Sequence, residues 1–195
     1  MEEKDVIGFY FELKNLDIKI WIDGGWGVDA LLGKQTRFHK DLDIVIQKKD
    51  IPAFMRLLKA QEYKEIKLDI AQPHNIVLAD DCSHEIDVHV IVLNENGDGM
   101  YGPVENGVVF PAASLTGKGK IGNLEVNCIS PEYVVKFHSG YELKEKDCKD
   151  ILAICKKFNL EIPSEYLRLK LSLTKKNCQK FKKSEVNKLP PTRTV

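Results

Sequence analysis

Apolar positions along the chain fall into two rhythms, and the shifts between them predict its elements. Over residues 3–16, Val6, Tyr10, Leu13 and Leu16 recur at helical spacing, broadened by Phe9 and Phe11. That pattern predicts an amphipathic helix. Residues 18–22 form a short apolar run that ends in Asp23-Gly24-Gly25, a strand entering a tight turn. The run from Trp26 to Leu32 predicts a short helix stopped by Gly33. A basic loop follows, with Lys34, Arg37, His39 and Lys40. Residues 41–46 are rich in β-branched side chains and predict a strand. Asp50 as N-cap and Pro52 in the first turn predict a helix to about Gln61. Strands are predicted near residues 63–68, 75–79 and 85–93, and 94–99 is a turn-rich loop. Residues 108–110 and 121–128 predict edge strands, with a hairpin turn at Gly122-Asn123. Ser130-Pro131-Glu132 opens a helix to about Leu143, and Asp147 with Asp150 opens another that ends near Asn159.

There is no internal repeat. A helix, then strands with interleaved helices, then two helices predict an α+β fold: a mixed β-sheet backed by helices, with C-terminal helices. Residues 1–128 are expected to form the main domain. Residues 129–171 would be a helical part packed on it. Residues 172–195 have few large apolar side chains and two adjacent prolines, and are expected to be a weakly ordered tail.

Composition adds one thing to this picture. An apolar fraction of 43% and a charged fraction of 30% over 195 residues suit an ordinary globular domain with an appendage. The formal net charge of zero argues against a dedicated nucleic-acid partner. The zero is, however, a sum. Residues 168–195 hold nine basic residues and one acid, Glu185, a net of +8, so residues 1–167 carry −8. No run approaches the roughly 20 apolar residues of a membrane helix. The acidic start lacks signal-peptide features, and five cysteines without a CxxC pair suggest reduced thiols. A cytoplasmic location without membrane attachment is expected. Cys148 and Cys155, seven residues apart, read as packing residues on one helix face.

The chemistry concentrates on two strands. Asp41-Leu42-Asp43 puts two carboxylates on one face and Leu42 on the other. Adjacent carboxylates repel unless a cation sits between them or both are solvated. Mg²⁺ takes a few carboxylates together with phosphate oxygens, so the pair is a suitable half-site. Three features strengthen that reading over a solvated edge strand. Gly24-Gly25, between a strand and a helix, permits close approach of backbone N–H groups to a phosphate. Arg37 and Lys40 bring positive charge for a polyphosphate, and alternation sets His39 on the face of Asp41 and Asp43. Finally, Ile86-Asp87-Val88-His89-Val90 inserts an acid and a histidine into an apolar strand, where an unpaired acid is costly. His89 fits a catalytic role and a hydrogen-bonded core histidine almost equally well.

Gly-Gly, an Asp-x-Asp beginning sixteen residues after Gly25, and a third Asp on a later strand resemble the nucleotidyltransferase superfamily that includes DNA polymerase β. Residues 21–29 (WIDGGWGVD), 36–43 (TRFHKDLD), 86–89 (IDVH) and 137–141 (FHSGY) resemble the small antibiotic nucleotidyltransferases more closely. Lincosamide nucleotidyltransferases are the nearest resemblance and aminoglycoside 2''-nucleotidyltransferases the next, over about residues 5–158. The resemblance implies a nucleotidyltransferase fold and Mg²⁺-dependent transfer of AMP from ATP to a hydroxyl of a small cationic antibiotic. On that reading Asp41, Asp43 and Asp87 are metal and catalytic residues. Asp87 either completes the metal site or takes the acceptor's proton. Gly24, Gly25, Arg37, His39 and Lys136 would bind nucleotide, and His89, His138 and Tyr141 would face the substrate. A homodimer is suggested by the resemblance alone. Trp26 is expected in the core rather than stacked on a base, and Asp29 is expected to brace the loop.

Other functions compete with this one. The basic tail points to AMP transfer onto a protein or RNA, although lysine-rich tails are commonly just solvated. A non-catalytic nucleotide-binding module would lack one of the three acids, and all three are present. A zinc domain built on Cys82, His84 and His89 lacks a second ligand pair at the right spacing.

Overall fold

The computed structural model describes residues 1–66, 74–102, 107–139, 142–169 and 171. The chain divides into two compact units, Met1–Phe137 and His138–Val195.

The first unit is built on one mixed sheet. Its elements are α1 (Glu3–Asn15), β1 (Ile20–Ile22), α2 (Gly24–Leu32), β2 (Asp41–Gln47), α3 (Ile51–Ala60), β3 (Lys64–Ile66), β4 (Asn75–Ala79), β5 (Glu85–Leu93), β6 (Gly99–Tyr101), β7 (Val108–Phe110), β8 (Gly117–Ile121), β9 (Leu124–Cys128) and α4 (Pro131–Phe137). The strand order is β3-β4-β5-β2-β1-β9-β8, and β6 pairs with both β5 and β7. β2 and β5 run parallel, as do β1 and β9, and the remaining pairs are antiparallel. β2 and β5 are flanked on both sides, so their inward residues Leu42, Ile44, Ile46, Ile86 and Val88 are fully buried. Each such side chain contributes about 1.5–3 kcal/mol on leaving water. α1 meets α3 through an edge-on contact of Phe9 with Phe54 (centroids 6.2 Å apart).

Element ends follow local chemistry. Asp5 accepts the Glu2 N–H at 2.8 Å and caps α1. Gly33, at φ 72°, ends α2 in the left-handed region. Asp50 stands at the N-cap of α3 with Pro52 in the first turn, but its side chain makes no capping bond.

Several sequence expectations need correction. α4 ends at Phe137, six residues short of the expected Leu143. Gly140, a weak helix former, follows closely in the sequence. The Ser130 carbonyl accepts from the N–H groups of Tyr133 and Val134, yet its buried hydroxyl has no partner. β9 is an inner strand between β1 and β8, not an edge. β6 begins at Gly99, the last residue of the turn-rich loop, where the sequence predicts no strand.

The second unit contains α5 (Glu145–Phe158). Asp147 accepts the Lys144 N–H at 2.8 Å, so the acid does mark the helix start, two residues into it. Asn159, at φ 55°, closes it. Cys148, Ile151, Ile154 and Cys155 form its buried stripe, so the two cysteines do pack. The Tyr166 hydroxyl donates to the His138 carbonyl. Among the described residues no helix is long and apolar enough to cross a membrane. The 172–195 tail expected from sequence lies outside the described residues.

Candidate active site

The parallel pairing of β2 with β5 sets Asp41 opposite Glu85, Asp43 opposite Asp87 and Val45 opposite His89. Period-two alternation gives all of these the same face of the sheet. One ligand atom each from Asp43, Asp87 and His89 lies within 4.8 Å of the others. Asp41 is exposed at the first position of β2. It is close enough that its charge acts on Asp87.

Asp87 is half-buried, and its carboxyl is held above the usual carboxylate range. Burial is the main cause, with the charges of Asp41 and Asp23 adding to it and His89 and Asn75 opposing it. With its amide nitrogen turned inward, Asn75 donates to Asp87 Oδ1 at 2.6 Å and to the Val88 carbonyl at 3.1 Å. The His89 ring has Nδ1 3.3 Å from the Tyr101 hydroxyl and packs edge-on against the Tyr101 ring at 5.4 Å. The rings continue outward: Tyr101 with His74 (4.4 Å) and Phe110 (6.0 Å), Phe110 with Phe137 (5.1 Å), and Phe137 with Tyr133 (5.6 Å). Burial, and then the charge of Asp87, pushes the Tyr101 phenol up.

The glycines make room for this acidic face. The Asp23 N–H donates to the Asp43 carbonyl at 2.9 Å, fixing the β1–α2 turn beside β2. Asp23 also accepts the Gly24 N–H at 2.8 Å. Gly24 has φ 55°, and a Cβ there would fall 1.9 Å from Asp43 Oδ2. A Cβ on Gly25 would fall 2.2 Å from His39 Nδ1 and 2.8 Å from Arg37 Nη2. Both positions therefore seat side chains of the site, whatever else their backbone binds.

His39 lies before β2 rather than on it, so strand alternation does not place it with Asp41 and Asp43. It is buried, with Nε2 2.5 Å from Asp29 Oδ2 and its ring 4.9 Å from that of Trp26. Asp29 also accepts from the Thr36 N–H (3.1 Å) and hydroxyl (2.6 Å). It thus braces the loop, and Trp26 is core, as the sequence indicates. Lys40 pairs with Glu85 at 2.5 Å. Lys136 is exposed on α4, its ammonium 4.4 Å from the Tyr133 ring centroid. His138 belongs to the second unit, and Tyr141 lies outside the described residues. Sequence reasoning missed Asn75 and Tyr101. Asn75 is a polar residue opening an apolar strand, which is a usable signal. The three-residue β6 shows no period to read.

The donor set fits a divalent cation. Two carboxylates and an imidazole converge, and a cation would offset the cost of burying the charged form of Asp87.

The family model for aminoglycoside-2''-adenylyltransferases matches residues 6–154. A lincosamide resistance protein of Staphylococcus haemolyticus is 31% identical over 150 residues, 76% of this chain and 91% of that protein. A 2''-aminoglycoside nucleotidyltransferase of Escherichia coli is 32% identical over 53 residues, 26% of this chain and 30% of the relative. The crystal structure of the lincosamide antibiotic adenylyltransferase LnuA, with lincomycin bound, superposes with a TM-score of 0.70 at 30% identity, covering 79% of this chain and 96% of that one. ANT(2'')-Ia in complex with adenylyl-2''-tobramycin shares the fold, with a TM-score of 0.64 at 17% identity over 86% and 92% of the two chains. The α+β sheet is thus the nucleotidyltransferase fold, and the chain belongs to the aminoglycoside-2''-adenylyltransferase family and is a nucleotidyltransferase.

Proposed function

We propose that this enzyme transfers AMP from ATP to a hydroxyl of a lincosamide antibiotic, releasing pyrophosphate and inactivating the drug. The observation that carries the lincosamide over the aminoglycoside is extent of likeness. Similarity runs through 91% of the lincosamide resistance protein but only 30% of the aminoglycoside enzyme. The surroundings of Asp87 agree. The rings of Tyr101 and Phe110 beside His89 suit an acceptor with an apolar face better than a polycation.

The acceptor oxygen attacks the α-phosphorus in line, the bond to the β-phosphate oxygen breaks, and pyrophosphate leaves with that electron pair. Asp41, Asp43 and Asp87 would hold Mg²⁺. When bound, the ion supplies charge neutralisation for the triphosphate and the leaving group. Gly24 and Gly25 present backbone to the phosphates at the start of α2. Arg37 carries positive charge to the β- and γ-oxygens. His39, fixed by Asp29, shapes that wall of the pocket. Lys136 extends the positive charge. Asp87 is alternatively the base that takes the acceptor's proton rather than a ligand of the ion.

The test is an acceptor screen with α-labelled ATP and Mg²⁺. Label is expected on lincosamides, and aminoglycosides should be poor acceptors. Preferential labelling of aminoglycosides would replace the acceptor. Labelling of protein or RNA, with neither drug class modified, would overturn the small-molecule reading.

A further inference from the structure

The function proposed above gives the cation an all-carboxylate shell and leaves His89 to the substrate. The geometry points to a different assignment: His89 is a nitrogen ligand of the cation, beside Asp43 and Asp87, so the site favours Mn²⁺ over Mg²⁺. This inference rests on the metal site of that reading.

Four observations carry it. A ring nitrogen of His89 and carboxylate oxygens of Asp43 and Asp87 all lie within 4.8 Å of one another. Two opposite donors of one ion stand about 4 Å apart, so small side-chain adjustments bring the three onto one ion. The position is a register consequence rather than a side-chain accident. Asp87 and His89 are alternate residues of β5, and Asp43 is directly opposite Asp87 on β2. The residue opposite His89 on β2 is Val45, which has no polar side-chain atom to hold the ring in its place. Finally, the ring has a polar neighbour of its own. The Tyr101 hydroxyl sits 3.3 Å from Nδ1, and the rings of Tyr101 and Phe110 flank it. Ligating histidines are typically held by such an outer hydrogen bond.

A core histidine would account for the Tyr101 contact alone. It would not account for a half-exposed imidazole turned toward two acids. The chemical consequence follows from the donor type. Mg²⁺ is a hard ion that prefers oxygen and gives up water reluctantly. First-row transition ions accept imidazole nitrogen more readily than Mg²⁺, with Mn²⁺, which also suits carboxylates, the weakest of them. A nitrogen in the shell therefore shifts preference toward Mn²⁺.

The test reads the ion directly. Mn²⁺ is bound to the full-length protein, with and without a non-hydrolysable ATP analogue, and examined by pulsed electron paramagnetic resonance. The expected result is a directly coordinated nitrogen that changes isotope signature when only histidine is labelled with ¹⁵N. In His89→Gln that coupling should vanish, and Mn²⁺ affinity should fall about 10–100-fold, with a smaller loss for Mg²⁺. His74→Gln is the companion variant. It leaves the coupling in place and excludes the other histidine near Tyr101. If His89→Gln does not fold, His89→Asn takes its place in the same measurement. Bound Mn²⁺ without histidine coupling overturns the inference and leaves the carboxylate site standing. Coupling that survives in folded His89→Gln overturns it too. No bound Mn²⁺ under either condition overturns the metal site itself.

Discussion

Asp43 and Asp87 face each other across two parallel strands, with Asp41 and Asp23 near enough to matter electrostatically. Such crowding opposes folding while no cation is bound. The pKa of Asp87 is raised mainly by burial, so the folded chain keeps this proton at pH values where the unfolded chain has lost it. Below the unfolded value, near pH 4, both states are protonated and the penalty is absent. It grows as the pH rises above that value and is complete once the pH exceeds the raised folded value. Asp87→Asn removes the charge and can still accept from Asn75. The metal-free variant is therefore expected to melt above wild type at pH 7 and level with it near pH 3. Mg²⁺ should raise the wild-type melting temperature more than that of the variant. Turnover should fall at least about a hundredfold, as for loss of a metal ligand. Thermal melts at the two pH values and a coupled pyrophosphate assay check this. A lower melting temperature at pH 7 would contradict the charge-crowding account.

The loop between α2 and β2 shows how an element can carry chemistry without regular structure. Its bracing comes from Asp29, buried on α2, which collects the Thr36 N–H, the Thr36 hydroxyl and the His39 ring. His39 in turn fills the space that Gly25 leaves, with Arg37 alongside. Asp29→Ala strands the buried His39 nitrogen, a cost of about 1–3 kcal/mol. It should also loosen the wall that meets the triphosphate. The expected signature is a lower melting temperature and a raised KM for ATP, with kcat less affected. Asp29→Asn, which keeps an acceptor, should be milder on both counts. Equal effects of the two variants on KM would show that the loop does not depend on this brace.

The same elements show what the sequence could and could not disclose. β5 is legible because apolar residues alternate with Glu85, Asp87 and His89 at period two, and β2 and β4 because their apolar runs are rich in β-branched residues. The carboxylates of Asp41, Asp43 and Asp87 stood out because an acid in an apolar strand has few inert explanations. Strand alternation misplaced His39, since β2 begins only at Asp41 and the preceding residues follow Asp29 instead. Tyr101 was invisible because β6 is three residues long and is defined by its pairing with β5 and β7, a long-range property. The end of α4 was overextended because helical periodicity continued past the residues that stop it.

At the scale of the whole molecule, the zero net charge is a partition between a negative body and a positive C-terminal stretch. Residues 172–195 hold seven basic residues and Glu185, a net of +6, so a chain ending at Leu171 carries −6. The site acids belong to the first unit, which lies wholly within that shortened chain. Its field attracts an amine-bearing acceptor, and the positive stretch offsets part of that attraction. Removing residues 172–195 is therefore expected to leave kcat on a lincosamide unchanged. At low ionic strength KM for the cationic acceptor should fall, by less than about threefold for a single charge. The difference should disappear near 0.5 M salt, where screening acts within about 4 Å. Steady-state kinetics of the two chains across a salt series measure both quantities. A loss of kcat on truncation at any salt concentration would instead give these residues a part in the catalytic unit. A loss confined to macromolecular acceptors would give them a part in docking a larger partner.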